Sequence, residues 1–183
     1  MWSLKEQKAV KFSVLAHQGQ LRKGKSIAYV SHPLTVGIIL ARMGCSEELV
    51  IAGILHDVIE DTDYEKEDIE REFGKKVADL VSGVSEGNKK DSWTERKNKT
   101  LEKLKNSSEE VVKLKAADLL ANMTDLCDDL KSEGGRAFTI FSVDSSKKIA
   151  GFQKLIQVIK MRLNQDPIIE KLEERLNQIS NYE

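Results

Sequence analysis

An apolar run from Leu49 to Leu55, interrupted only by Ala52 and Gly53, leads directly into His56-Asp57-Val58-Ile59-Glu60-Asp61-Thr62. A helix hydrophobic enough to be buried therefore ends in one histidine and three carboxylates. Burying carboxylates without partners is strongly unfavourable. A divalent cation compensates most directly, because it supplies charge and fixed coordination together. This pattern predicts a chain that holds a metal, and a metal that does chemistry.

Helical periodicity dominates the rest of the sequence. It predicts helices over Leu4–His17, Pro33–Met43, Glu47–Ile59, Tyr64–Phe73, Lys75–Ser82, Trp93–Leu104, Glu109–Lys131, Ser145–Leu163 and Pro167–Ile179. Thr62 with Glu65, Ser92 with Glu95 and Ser107 with Glu110 have capping-box spacing. Asp166 precedes Pro167 as an N-cap before a proline in the first turn. Gly44 and Gly74 stand where helices should stop. Gly19 to Ser31 reads as an extended basic loop, Ser82 to Lys90 as a mobile polar segment, and Ser132 to Gly135 as a break.

The expected fold class is all-α: a helical bundle with a mononuclear metal site. The 183 residues suffice for one domain spanning 1–183, with a core over about 4–131 and C-terminal helices over about 145–180 packed on it. Those last helices read as packing or oligomer material, compatible with a homodimer. No run approaches the ~18 apolar residues of a membrane span. Met1 to Glu6 carries an early acidic residue and lacks the apolar core of a secretory signal. Cys45 and Cys127 have no metal or redox spacing, which suits reduced thiols in the cytoplasm. A formal net charge of -1 supplies no global field for nucleic acid. A phosphorylated ligand would need a local basic pocket.

On a helix His56 and Glu60 share one face, and Asp57 and Asp61 the neighbouring one. His56 and Asp57 can still reach one ion between them. Further ligands must come from elsewhere. His32 opens a helix in Ser31-His32-Pro33, and Asp118 sits in the apolar setting Leu114-Lys115-Ala116-Ala117-Asp118-Leu119-Leu120. Two imidazoles and two carboxylates make a mixed nitrogen and oxygen site open to Mn²⁺, Fe²⁺, Mg²⁺ or Zn²⁺.

The order Arg22-Lys23, Tyr29-Val30-Ser31-His32-Pro33, Leu55 to Thr62, Phe73-Gly74, Glu95-Arg96-Lys97, Ala117-Asp118 and Asn122 resembles the HD-domain alarmone hydrolases. These are the hydrolase halves of RelA/SpoT proteins and, more closely, their small stand-alone relatives. The resemblance covers roughly His17 to Leu130. It implies an HD fold and one Mn²⁺ ion held by His32, His56, Asp57 and Asp118. It also implies hydrolysis of the 3′-pyrophosphate of guanosine tetra- and pentaphosphate to GDP or GTP and pyrophosphate. Glu60 and Asp61 then suit catalytic carboxylates that orient water and move protons. Carboxylates at a helix C-terminus oppose its dipole, which a nearby cation offsets.

By the same resemblance Asn122 contacts the ligand. Arg22 can stack on a purine and Lys23 reach phosphate, with Arg96 and Lys97 toward the pyrophosphate. Tyr29 is expected to pack beneath the basic loop. Asp125 and Asp129 follow on the Asp118 face and make it more acidic. The alternative activity is an HD phosphohydrolase acting on another phosphorylated nucleotide, such as NADPH or a nucleoside phosphate. A non-enzymatic alternative is a silent HD module that binds nucleotide and signals through a partner. The intact Glu60-Asp61 pair argues against it.

Overall fold

Side-chain caps set most of the helix boundaries in the computed structural model, which describes residues 3–86, 91–141 and 143–182. The order is α1 (Leu4–Ala16), α2 (Ser31–Arg42), α3 (Glu47–Leu55), α4 (Val58–Asp61), α5 (Lys66–Phe73), α6 (Lys75–Val84), α7 (Trp93–Lys105), α8 (Glu109–Glu133), a 3-10 helix (Gly134–Ile140), α9 (Ser145–Leu163) and α10 (Ile168–Ser180). Among the described residues the only strand-like pairing is an isolated bridge between Leu21 and Ala28. The all-α expectation is met.

The Ser92–Glu95 box forms as predicted, and the Asp166 carboxylate accepts from the Ile168 amide. Two predicted boxes move. Thr62 donates its hydroxyl back to the Val58 carbonyl at 2.6 Å, so Glu65 and Asp68 cap α5 instead. Ser107 likewise donates to the Lys103 carbonyl and finishes α7, leaving Ser108 to cap α8. The predicted helix over Glu47–Ile59 is broken. Its ladder stops at Leu55, where the His56 imidazole Nδ1 lies 2.8 Å from the Gly53 carbonyl oxygen, and a single turn resumes at Val58. Helix α6 runs through the start of the segment expected to be mobile as far as Val84, and residues 87–90 of that segment lie outside the described residues. Within the break predicted over Ser132 to Gly135, α8 ends at Glu133 and Gly134 begins the unforeseen 3-10 helix.

The core is built around α3, which packs on α1, α2, α6 and α8. All seven residues from Leu49 to Leu55 are buried. Each large aliphatic side chain so removed from water contributes about 1.5–3 kcal/mol. Two glycines let α2 and α3 approach closely. A Cβ on Gly53 would stand 2.6 Å from Leu40 Cδ1 and 3.3 Å from the Gly37 backbone. This crossing draws the start of α2 toward the end of α3. Helices α9 and α10 pack against α8 from the other side.

Candidate metal centre

All three histidines of the chain are buried, and two of them meet Asp118. His32 comes from the first turn of α2, His56 and Asp57 from the α3–α4 break, and Asp118 from the middle of α8. His32 Nε2 lies 3.2 Å from Asp118 Oδ1, and His56 Nε2 lies 3.8 Å from the same oxygen. Asp57 closes the group, with Oδ1 3.1 Å from His56 Nε2 and Oδ2 3.7 Å from His32 Nε2. One ligand atom from each of His32, His56 and Asp118 falls within 4.8 Å of the others.

These residues fit a divalent ion. The Gly53 carbonyl can only accept, so His56 Nδ1 carries a proton and Nε2 is the ring atom left to face an ion. Among the described residues Nε2 is buried with no hydrogen-bond partner. Electrostatics point the same way. Burial opposes charge on His56, yet Asp57 and Asp118 push its pKa up to about 9. Burial likewise works against the Asp57 and Asp118 charges. His56 holds the Asp57 carboxyl well below its usual range, and Lys115 with His32 does so for Asp118. The centre favours positive charge.

A shell of hydrogen bonds fixes the carboxylates. The Tyr29 hydroxyl lies 2.6 Å from Asp57 Oδ2 and 3.0 Å from Asp61 Oδ2, so it does more than pack beneath the loop. Burial and the Asp57 carboxylate keep this phenol protonated. Gln20 donates to the Asp61 carbonyl at 2.7 Å and faces His17 Nδ1 on its other end. Lys115 Nζ meets Asp118 Oδ2 at 2.8 Å, and Asn122 donates to Oδ1 at 2.6 Å. Glu60 Oε2 accepts from the Glu86 amide at 2.9 Å. Burial, and behind it the Glu86, Asp57 and Asp61 carboxylates, raises the Glu60 carboxyl above its ordinary value.

Asp118 opens onto a pocket of about 280 Å³. Four of the five sequence-predicted ligand contacts line it: Arg22, Lys23, Lys97 and Asn122. Arg96 does not line it, because its guanidinium turns to Glu86 at 3.4 Å. The expected acidic face is neutralised. Arg22 pairs with Asp125 at 2.8 Å and Lys25 with Asp129 at 2.5 Å, which straps the basic loop to α8. Arg22 also stands 5.7 Å from the Tyr29 ring centre. Sequence reading missed Lys148 and Lys115, which also line the pocket. Lys148 lies 4.1 Å from the Phe141 ring centre, and burial, reinforced by Lys97, pushes its pKa down to about 8. Lys115 is three residues before Asp118, a spacing that could have revealed it as the partner of a buried carboxylate.

The HD domain family matches residues 9–139. A guanosine-3′,5′-bis(diphosphate) 3′-pyrophosphohydrolase of Aquifex aeolicus is 37% identical over 146 residues, 79% of this chain and 19% of that protein. The bifunctional (p)ppGpp synthase/hydrolase SpoT of Escherichia coli is 50% identical over 70 residues, 38% of this chain and 10% of SpoT. The matched segment is thus a small part of each of these longer relatives. The solved structure of a metazoan ortholog of SpoT, described as hydrolysing ppGpp with a role in starvation responses, superposes with a TM-score of 0.81 at 29% identity over 97% of both chains. A solved protein of Listeria monocytogenes EGD-e gives 0.74 at 36% identity over 82% of this chain and 96% of its own. With this family match and a near-complete likeness in fold, the chain belongs to the HD-domain family and is homologous to the SpoT/RelA (p)ppGpp hydrolases.

Proposed function

We propose that this protein is a divalent-metal-dependent hydrolase that removes the 3′-pyrophosphate of guanosine tetra- or pentaphosphate, releasing GDP or GTP and pyrophosphate. The observation that carries this reading is the convergence of His32, His56, Asp57 and Asp118, the last of which also lines a pocket whose walls bear Arg22, Lys97 and Lys148. The names of its relatives supply the substrate class. The four residues would hold one ion, taken as Mn²⁺, which suits a donor set of imidazole and carboxylate without thiolate. When bound, it supplies charge that polarises water and phosphoryl oxygens.

The chain's own residues supply the rest. Glu60, with its raised pKa, takes the proton of the attacking water. Asp61, held through Tyr29 and Gln20, orients that water. The bond between the ribose 3′ oxygen and phosphorus breaks, and the freed oxygen ends as a hydroxyl. Lys97, Lys115 and Lys148 offset the phosphate charges, while Arg22 lies flat against the base. Asn122 and Lys23 reach the ribose and phosphate, and Arg96 steadies Lys97 beside it. The packing of α9 and α10 on α8 supports one domain over the whole chain. The thiols Cys45 and Cys127 are unpaired, as suits the cytoplasm.

Purified, Mn²⁺-loaded protein is expected to release pyrophosphate from ppGpp. Release of inorganic phosphate from NADPH or a nucleoside phosphate, with ppGpp untouched, would transfer the site to the alternative substrate class. Binding of ppGpp without turnover would return it to a signalling module.

A further inference from the structure

Glu86 stands where two parts of the site meet, and no step above uses its side chain. It follows the last turn of α6 and is only 9% exposed. Its backbone amide donates to Glu60 Oε2 at 2.9 Å. Its carboxylate takes Lys97 through Oε1 and Arg96 through Oε2. The turn that carries it is clamped from α7, where Lys103 donates to the carbonyls of Ser82 at 2.8 Å and Ser85 at 3.2 Å. One residue therefore touches a carboxylate on the metal side through its main chain and the cations on the far side through its side chain.

We propose that Glu86 is a positioning residue that couples the placement of Glu60 to the state of the Arg96–Lys97 pair. This rests on the proposed hydrolase reading for the role of Glu60, while the cation half stands on the ion pairs alone. In the free protein Glu86 holds Lys97 and Arg96 in the role that a phosphate would take. An entering anion competes with the Glu86 carboxylate for Lys97, which lines the pocket. Any shift of Glu86 is felt at Glu60 through the shared amide. Substrate binding and the alignment of the base are thus opposed at one carboxylate, so a residue that weakens binding favours the reacting geometry.

The test is Glu86→Gln, which keeps the shape and removes the charge. It is expected to lower kcat about tenfold and to lower KM about threefold, because the cations are released to phosphate while the Glu86 amide, no longer tethered through its own side chain, holds Glu60 less firmly. Metal content should equal the parent's. On a Glu60→Asp background the same substitution should lower kcat less than twofold, because residues acting as a unit are not additive. A raised KM, an unchanged kcat, or a full tenfold loss repeated on the Glu60→Asp background would each overturn the coupling. Glu86→Asp, which keeps the charge, should retain the parental KM; a KM lowered as in Glu86→Gln would exclude competition by charge. If the parent proves inert on ppGpp, the function falls, but titration with inorganic pyrophosphate still judges the cation half. Glu86→Gln should bind it about threefold more tightly, and equal or weaker binding ends the proposal.

Discussion

The two sides of the site, the buried metal-side cluster and the cation-bearing side beyond it, are built to different standards. On the metal side, His32 and His56 are 4% and 3% exposed, and each of the seven residues from Leu49 to Leu55 behind them is buried. The far side depends on α7, which buries one residue, Leu104, and presents Arg96 and Lys97 with side chains 26% and 35% exposed. Ion pairs at such exposure contribute little, about 0–1 kcal/mol each. Close packing fixes the geometry of the proposed ligands on one side, and sparse packing leaves the other able to adjust to the phosphates of the proposed substrate. Coordination tolerates little displacement, whereas phosphate recognition by lysine tolerates much.

The largest effects are therefore expected on the metal side. Asp118→Ala removes the oxygen that faces both imidazoles and should abolish metal retention and turnover together, at least about a hundredfold in activity. Metal analysis of the purified variant beside pyrophosphate release checks this. A retained ion with lost activity would shift Asp118 from ligand to positioning group. The same wall should respond to the ion in stability. At a hundred times its Kd, the proposed Mn²⁺ should stabilise the fold by about 2.7 kcal/mol. For a chain of this size that raises Tm by roughly 5–10 °C. Calorimetry should find the rise in the parent and none in Asp118→Ala. An equal rise in both would place the ion elsewhere.

The contrast also explains what the sequence made legible. The metal wall rests on local signals: an apolar run ending in His56-Asp57, a histidine before Pro33, and a carboxylate flanked by Ala117 and Leu119. Each breaks a pattern that the core requires, so each stands out. The helix order follows from the same periodicity. The break after Leu55 was hidden because it comes from a side chain competing for the Gly53 carbonyl, which no propensity records. Lys148 was hidden for another reason. Ser145-Ser146-Lys147-Lys148 reads as a solvated helix start, and only the approach of Phe141 and Phe152 buries one lysine of the pair. Asp125 and Asp129 read as added acidity because their partners, Arg22 and Lys25, lie about a hundred residues earlier.

On the far wall the expected effects are smaller and depend on pH. Burial depresses the Lys148 pKa to about 8, so its charge is present below that pH and lost above it. The proposed ligand is anionic, and binding should weaken as pH rises through about 8. Accordingly kcat/KM, which reports the free enzyme, should show an alkaline limb near pH 8 with a fall of about tenfold. Arginine keeps its charge throughout this range. Lys148→Arg should therefore remove the limb while leaving metal content unchanged. An unchanged limb in that variant would assign the titration to another group and weaken the claim that this wall reads phosphate.

The smallest expected effect probes the compliance of α7 directly. Ser92 Oγ accepts from the Glu95 amide at 3.3 Å, and Glu95 returns the bond to the Ser92 amide at 2.9 Å. Losing such a cap costs about 1 kcal/mol. If α7 opens as a local unit, Ser92→Ala should leave global stability in urea nearly unchanged. It should instead speed amide exchange across Trp93–Lys105 by roughly fivefold, the factor that about 1 kcal/mol gives. The α3 amides provide the internal reference and should exchange as in the parent. A full loss of about 1 kcal/mol in global unfolding, with α3 and α7 affected alike, would show that both walls unfold together. Recognition of phosphate would then have to be explained without a compliant side, from the placement of Lys97, Lys115 and Lys148 alone.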